Sequence, residues 1–112
     1  IYLMSLVTPS KQSNNHKLYF SRVEIAKILN CYSIGVSKGE WKDYALNFYS
    51  NEAIFCFFKH SLASPDCILV KIKEKRKKRI IYKLSIGNKK NSKYDNLDSL
   101  IVSLKRSQIT II

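Results

Sequence analysis

Residues 67–86 read Cys67-Ile-Leu-Val-Lys71-Ile-Lys73-Glu74-Lys75-Arg76-Lys77-Lys78-Arg79-Ile-Ile-Tyr82-Lys83-Leu-Ser-Ile86. Two apolar, β-branched runs, Cys67–Lys73 and Ile80–Ile86, flank a charged stretch that no core could take in. The pattern predicts two antiparallel strands joined at a basic tip. Side chains alternate along a strand, so Lys71, Lys73 and Lys75 are expected on one face, while Arg76, Lys77, Lys78 and Arg79 crowd the turn. Seven of nine residues from Lys71 to Arg79 are basic and only Glu74 opposes them. Such a density repels itself unless an anion offsets it.

Working outward, Tyr44, Leu46 and Phe48 alternate with Ala45, Asn47 and Tyr49. Ser50-Asn51-Glu52 supplies a turn, and Ala53–Lys59 continues in Phe and Ile, which predicts a second hairpin. Ser61–Asp66, with Pro65, reads as a loop, and Gly87–Tyr94 as a polar connection. Ahead of the strands, Ser21 and Glu24 form a capping box, with Phe20 and Ile25 as its hydrophobic staple. Ile25, Ile28, Leu29, Tyr32 and Val36 then make one apolar stripe, and Gly39 is placed to end the helix, so a helix is expected over about 22–38. Its outer face carries Arg22, Lys27 and Asn30, too sparse for a DNA-recognition helix. After the strands, Asp95 and Asp98 open a second helix, about 96–106, with Leu97, Leu100, Ile101 and Leu104 on one side. Lys105 and Arg106 complement its C-terminal dipole. Leu18–Phe20 and Ile109–Ile112 are candidate short strands. The expected fold is α+β: an antiparallel four- to five-stranded sheet, one helix before it and one after, both covering one face.

At 112 residues the chain fits one domain, expected over 17–112 behind a flexible tail of residues 1–16 that includes His16. The opening Ile1, with Met4 close behind, points to a shortened or re-assigned start. Ile1–Val7 lacks the basic n-region and the length of a signal peptide. The longest apolar run, Ala53–Phe58, is far short of the ~20 residues a membrane helix needs, and no membrane partner is expected. Cys31, Cys56 and Cys67 are odd in number and sit in apolar settings, so buried thiols and a reducing cytoplasm are expected.

Twenty Lys+Arg against eight Asp+Glu give +12. A field of that sign favours nucleic acid, anionic lipid headgroups or an acidic protein partner. The 16 Lys, 14 Ile and 8 Asn are also what an AT-rich genome drifts toward. Drift does not explain the shortage of acids or the clustering of bases. Catalysis has little to stand on. His16 and His60 lie in no nucleophile motif, the acids are scattered, and three glycines make no phosphate loop. No metal site and no cofactor is expected, because the cysteines lack ligand spacing.

Leu18-Tyr-Phe20-Ser-Arg22-x-Glu24, Ile28-Leu-Asn30-x-Tyr32, Gly39-Glu-Trp41-x-Asp43-Tyr-Ala45 and Ala53-Ile-Phe55-x-x-Phe58-Lys59 resemble a small alphaproteobacterial family catalogued as a domain of unknown function. The likeness runs over roughly 18–105, and a basic hairpin tip recurs in the family, matched here by Lys75–Arg79. After Ile86 the chain departs: Asn91-Ser-Lys-Tyr-Asp replaces the family's glycine-containing turn. The resemblance implies a bacterial cytoplasmic protein and brings no activity with it. The four-strands-then-helix order also resembles single-strand-binding folds of the transcriptional-coactivator and Whirly type, at the level of fold alone.

Two functions are therefore expected in competition. The first is a small non-catalytic protein contacting phosphates of single-stranded DNA or RNA through Lys71, Lys73, Lys75, Arg76, Lys77, Lys78, Arg79 and Lys83. Lys89, Lys90 and Lys93 would extend the stripe, and Tyr82 and Tyr94 would stack unpaired bases. Against it stands a solvated tip that lysine merely keeps soluble. The second is a protein–protein adaptor using an uncovered sheet face with Trp41, as an exposed anchor, and Asp43. Against that stands a Trp41 that caps the sheet's end while Asp43 pairs with Arg22 or Lys42. A homodimer is compatible with both.

Overall fold

The computed structural model describes residues 16–60, 64–87 and 91–109. Helix α1 (Arg22–Ser37) starts where the capping box puts it. The Ser21 side chain accepts from the Glu24 backbone N–H at 3.1 Å, and Glu24 Oε1 accepts from the Ser21 N–H at 2.7 Å. At the other end Gly39 adopts φ +77°, donating to the Val36 carbonyl, while Glu40 donates to that of Gly35. That is a Schellman ending, and it needs the left-handed conformation glycine allows.

Five strands follow: β1 (Asp43–Phe48), β2 (Glu52–Phe58), β3 (Cys67–Glu74), β4 (Arg79–Ile86) and β5 (Ser92–Tyr94). They form one antiparallel meander in the order β1-β2-β3-β4-β5. Helix α2 (Leu97–Ile109) completes the α+β fold, with one helix before the sheet and one after it. The polar connection expected after Ile86 contains the short β5, whose Ser-Lys-Tyr carries no apolar alternation. Asn96, rather than Asp95, caps α2, its side chain accepting from the Ser99 N–H at 2.8 Å. Leu18–Phe20 is not a strand, although the Leu18 N–H donates to the Tyr49 carbonyl. Ile109 closes α2 instead of opening a strand. Residues 110–112, the expected tail before His16, and Lys89 with Lys90 lie outside the described residues.

Both helices pack on one sheet face. The core joins Ile28 and Cys31 of α1 and Leu97, Leu100 and Leu104 of α2 to Leu46, Phe55, Phe57, Leu69 and Leu84, all pointing the same way. Val36, expected on the stripe of α1, is exposed, and Gly35 is buried in its place. The cause is Trp41: a Cβ on Gly35 would lie 2.1 Å from the indole Cε3, so only a glycine lets the ring lie flat on the helix. No side chain from the opposite sheet face joins that core. Ile54, Cys56, Phe58, Ile68, Val70 and Ile81 lie there, with no described helix over them.

Candidate nucleic-acid interface

The β3–β4 hairpin projects beyond its neighbours. Strand β2 starts at Glu52 opposite Ile72, and β5 ends at Tyr94 opposite Tyr82. The last pair, Glu74 with Arg79, and the four-residue turn Lys75–Lys78 therefore stand clear as a two-stranded ribbon. Lys78 takes φ +49°, the left-handed residue that closes loops of this length. Lys73 and all residues from Lys75 to Arg79 are exposed. Arg79 Nε donates to Glu74 Oε1 at 2.7 Å and holds that carboxyl below its ordinary range. Among the described residues, Lys75, Arg76, Lys77 and Lys78 make no side-chain hydrogen bond or ion pair. Four cations thus share one tip; the acids near it, Glu74 and Asp95, both act on Arg79, and Lys77 lies within electrostatic reach of Glu74. In water, such a pair of exposed charges contributes little.

The rest of the expected site divides. Lys71 lies on the helix-covered face, in phase with Cys67 and Leu69. Its Nζ donates to Glu24 Oε1 at 2.7 Å and to the Tyr19 carbonyl at 2.9 Å. The lysine and glutamate side chains are 12% and 14% exposed, so this pair is withdrawn from water and from any ligand. Tyr82, directly opposite Lys71, is buried, and its hydroxyl donates to Glu24 Oε2. Tyr94 turns to the same side, donating to Ser103 Oγ of α2 at 2.8 Å. Base stacking on Tyr82 or Tyr94 is therefore corrected: sheet alternation places both rings under the helices. Lys83 and Lys93 sit opposite one another on the uncovered face, which Arg79 shares and Lys73 does not, so any continuation of the tip's charge runs along that face only.

Burial raises the pKa of Glu24, but hydrogen bonds from Lys71, Tyr82 and Ser21 outweigh it and hold the carboxyl below its usual range. Burial and the same Glu24 contact push the Tyr82 hydroxyl well up. Glu24 thus starts α1 and fastens it to β3 and β4 at once. The sequence carries no local signal for this: residues 67–70 are apolar in both phases, so alternation alone does not show that Lys71 shares the covered face.

Trp41 is also corrected. It is 5% exposed, with its ring 4.5 Å from that of Phe57 and parallel to Tyr32. Its Nε1 donates to Asp66 Oδ2 at 3.2 Å, closing the end of the core rather than anchoring a partner. Asp43 stands half-buried at the start of β1 on the uncovered face, where Oδ1 accepts from the Tyr44 N–H instead of pairing with Arg22 or Lys42.

Fold and site together define a small basic α+β domain with a half-roofed antiparallel sheet and a protruding cationic hairpin. The chain belongs to a family of proteins of unknown function (DUF2794), whose model matches residues 18–94, ending before α2. Comparisons with curated proteins and with solved structures returned no match. No helix among the described residues is long and apolar enough to cross a membrane.

Proposed function

We propose that the protein is a non-catalytic nucleic-acid-binding protein whose β3–β4 tip contacts backbone phosphates. The observation that carries this is the cluster Lys75, Arg76, Lys77 and Lys78, exposed on a projecting ribbon without bound counter-charges. Lysine and arginine that neutralise phosphates release condensed counterions, which supplies affinity without reading sequence. A two-stranded ribbon is also narrow enough to enter a duplex major groove. With Tyr82 and Tyr94 turned inward, a preference for single strands loses its support, and the proposal is confined to phosphate contact. The titratable group Glu24, Lys71 and Tyr82 is spent on joining helix to sheet, which favours a binding rather than a catalytic role. Cys31, Cys56 and Cys67 are buried and joined by no disulfide among the described residues, which accords with a reducing cytoplasm.

Anisotropy of labelled single-stranded and duplex oligonucleotides at two salt concentrations tests this. Four phosphate contacts give a log–log salt slope of about −3.6 on a duplex and about −2.8 on a single strand. Between about 50 and 200 mM salt, affinity then falls ~150-fold or ~50-fold, respectively. Changing Lys75, Arg76, Lys77 and Lys78 together to Ser removes binding, while stability stays within about 0.5 kcal/mol, as for other exposed positions. Salt-independent binding, no binding, or full binding by the variant overturns the proposal.

A further inference from the structure

The uncovered sheet face is apolar at its centre and charged at its rim, with the acids Asp43, Glu52 and Glu74 on β1, β2 and β3 and the bases Arg79, Lys83 and Lys93 on β4 and β5. Glu52 of β2 lies on one side, level with Ile72 of β3 and Ile81 of β4. Arg79 and Lys83 lie on the other side, on β4, two residues either way from Ile81. Lys83 is directly opposite Lys93 of β5, a like-charge cross-strand pair that costs stability unless something acidic or polar comes over it.

We infer that this face joins two copies of the chain about a two-fold axis running along β3. Such an axis lays β1 and β2 of one copy over β5 and β4 of the other and leaves height along the strands unchanged. Glu52 of each copy then faces β4 of the other between Arg79 and Lys83. Asn47, level with Lys83 and Lys93 through Ile54 and Val70, comes over Lys93. This axis also brings Glu74 of β3 beside its copy, each already paired with its own Arg79, whereas the alternative two-fold, perpendicular to the strands, stacks β4 on β4 and sets Lys83 on Lys83 with no acid between, so charge favours the first. Val70 on β3 falls at the axis, and Ile54, Ile68 and Ile81 surround it.

Four strands ~4.8 Å apart and six to eight residues long cover roughly 400 Å² in plan. Ala45, Cys56 and Ile81 within that area are buried and its other apolar residues half-buried, so the patch is about half of the ~800 Å² per partner of standard interfaces, at the low end for a specific pair. Aligned packing of two sheets, about 30° apart, gives a sandwich core of the usual ~10 Å thickness.

Sedimentation equilibrium of the nuclease-treated full chain decides the matter. The wild type is expected at twice 13.0 kDa at micromolar concentration. Val70→Lys is expected near 13.0 kDa, with unchanged circular dichroism. Glu52→Lys and Lys83→Glu each weaken the dimer about tenfold or more, and the two together restore it. The charge pair keeps the test intact should Val70→Lys fail to fold. A monomeric wild type overturns the inference, even if another protein occupies the face. So does a dimer that survives Val70→Lys, which would be joined by strand edges, or a double exchange that restores nothing.

Discussion

Replacing Glu24 by Gln perturbs the junction where helix and sheet meet. The substitution keeps the shape and the N-cap's own hydrogen bond to residue 24, but it leaves the Lys71 ammonium beside a neutral amide. An exposed ion pair contributes ~0–1 kcal/mol, whereas removing one partner of a fully buried pair costs ~3–5 kcal/mol. At 12% and 14% side-chain exposure this pair lies near the buried limit. Lys71 still keeps the Tyr19 carbonyl, at 2.9 Å, which lowers the cost. Together these place the loss at about 3 kcal/mol, against a total stability of ~5–15 kcal/mol for a domain of this size. Urea unfolding followed by the fluorescence of Trp41, the single tryptophan and buried, measures it directly. The pH dependence supplies a second reading. The folded-state pKa of Glu24 lies below its ordinary value of 4.5, so its contribution is fully present above that pH. It is lost as pH falls through the folded-state value, and Glu24→Gln should therefore flatten the acid limb of the stability curve. Adding Lys71→Met to Glu24→Gln should recover part of the loss, because the orphaned charge is gone. A loss below about 1 kcal/mol, with an unaltered acid limb, would refute the buried-junction reasoning.

Three further outcomes are expected. Gly35→Ala places a methyl 2.1 Å from the Trp41 ring, and the displaced indole should cost about 2–3 kcal/mol and shift the tryptophan emission. Tyr82 has its folded-state pKa raised above the ordinary 10.0, so its share of stability is complete below pH 10.0 and declines as pH rises through the folded value; Tyr82→Phe should shorten that alkaline limb in urea titrations. Burial, and then the adjacent Asp66, push the Cys67 thiol far up, so iodoacetamide should label Cys67 in the native protein only as fast as the chain opens, as peptide mapping over time will show.

Much of the fold was legible because its signals are local. The Ser21–Glu24 box and the Gly39 ending fix α1 by hydrogen bonds within one turn, and the four long strands announce themselves by aromatic-rich runs in β1 and β2 and by β-branched runs in β3 and β4. Parity also put Lys71 and Lys73 correctly on one face. What parity cannot tell is which face the helices cover, since that is decided by packing between elements far apart in the chain. The basic tip was legible for the opposite reason: a turn has no covered side. Lys71 and Tyr82 were misread as ligand-facing because their partner, Glu24, already had a sufficient local explanation as a cap. Trp41 was misread as an anchor because nothing in its own neighbourhood shows Gly35 making room for it. Strand β5 escaped notice because three polar residues owe their strand form to pairing with β4.

The double duty of Glu24 has a consequence for how order arises along this chain. A peptide ending near Gly39 would retain the serine, the glutamate and the apolar stripe, yet it would lack the ammonium and the phenol that hold the carboxylate in place. Its first turn would fray in water, as short isolated helices do. The helix and the ribbon that follows some thirty residues later must therefore consolidate together, a built-in check against half-made intermediates.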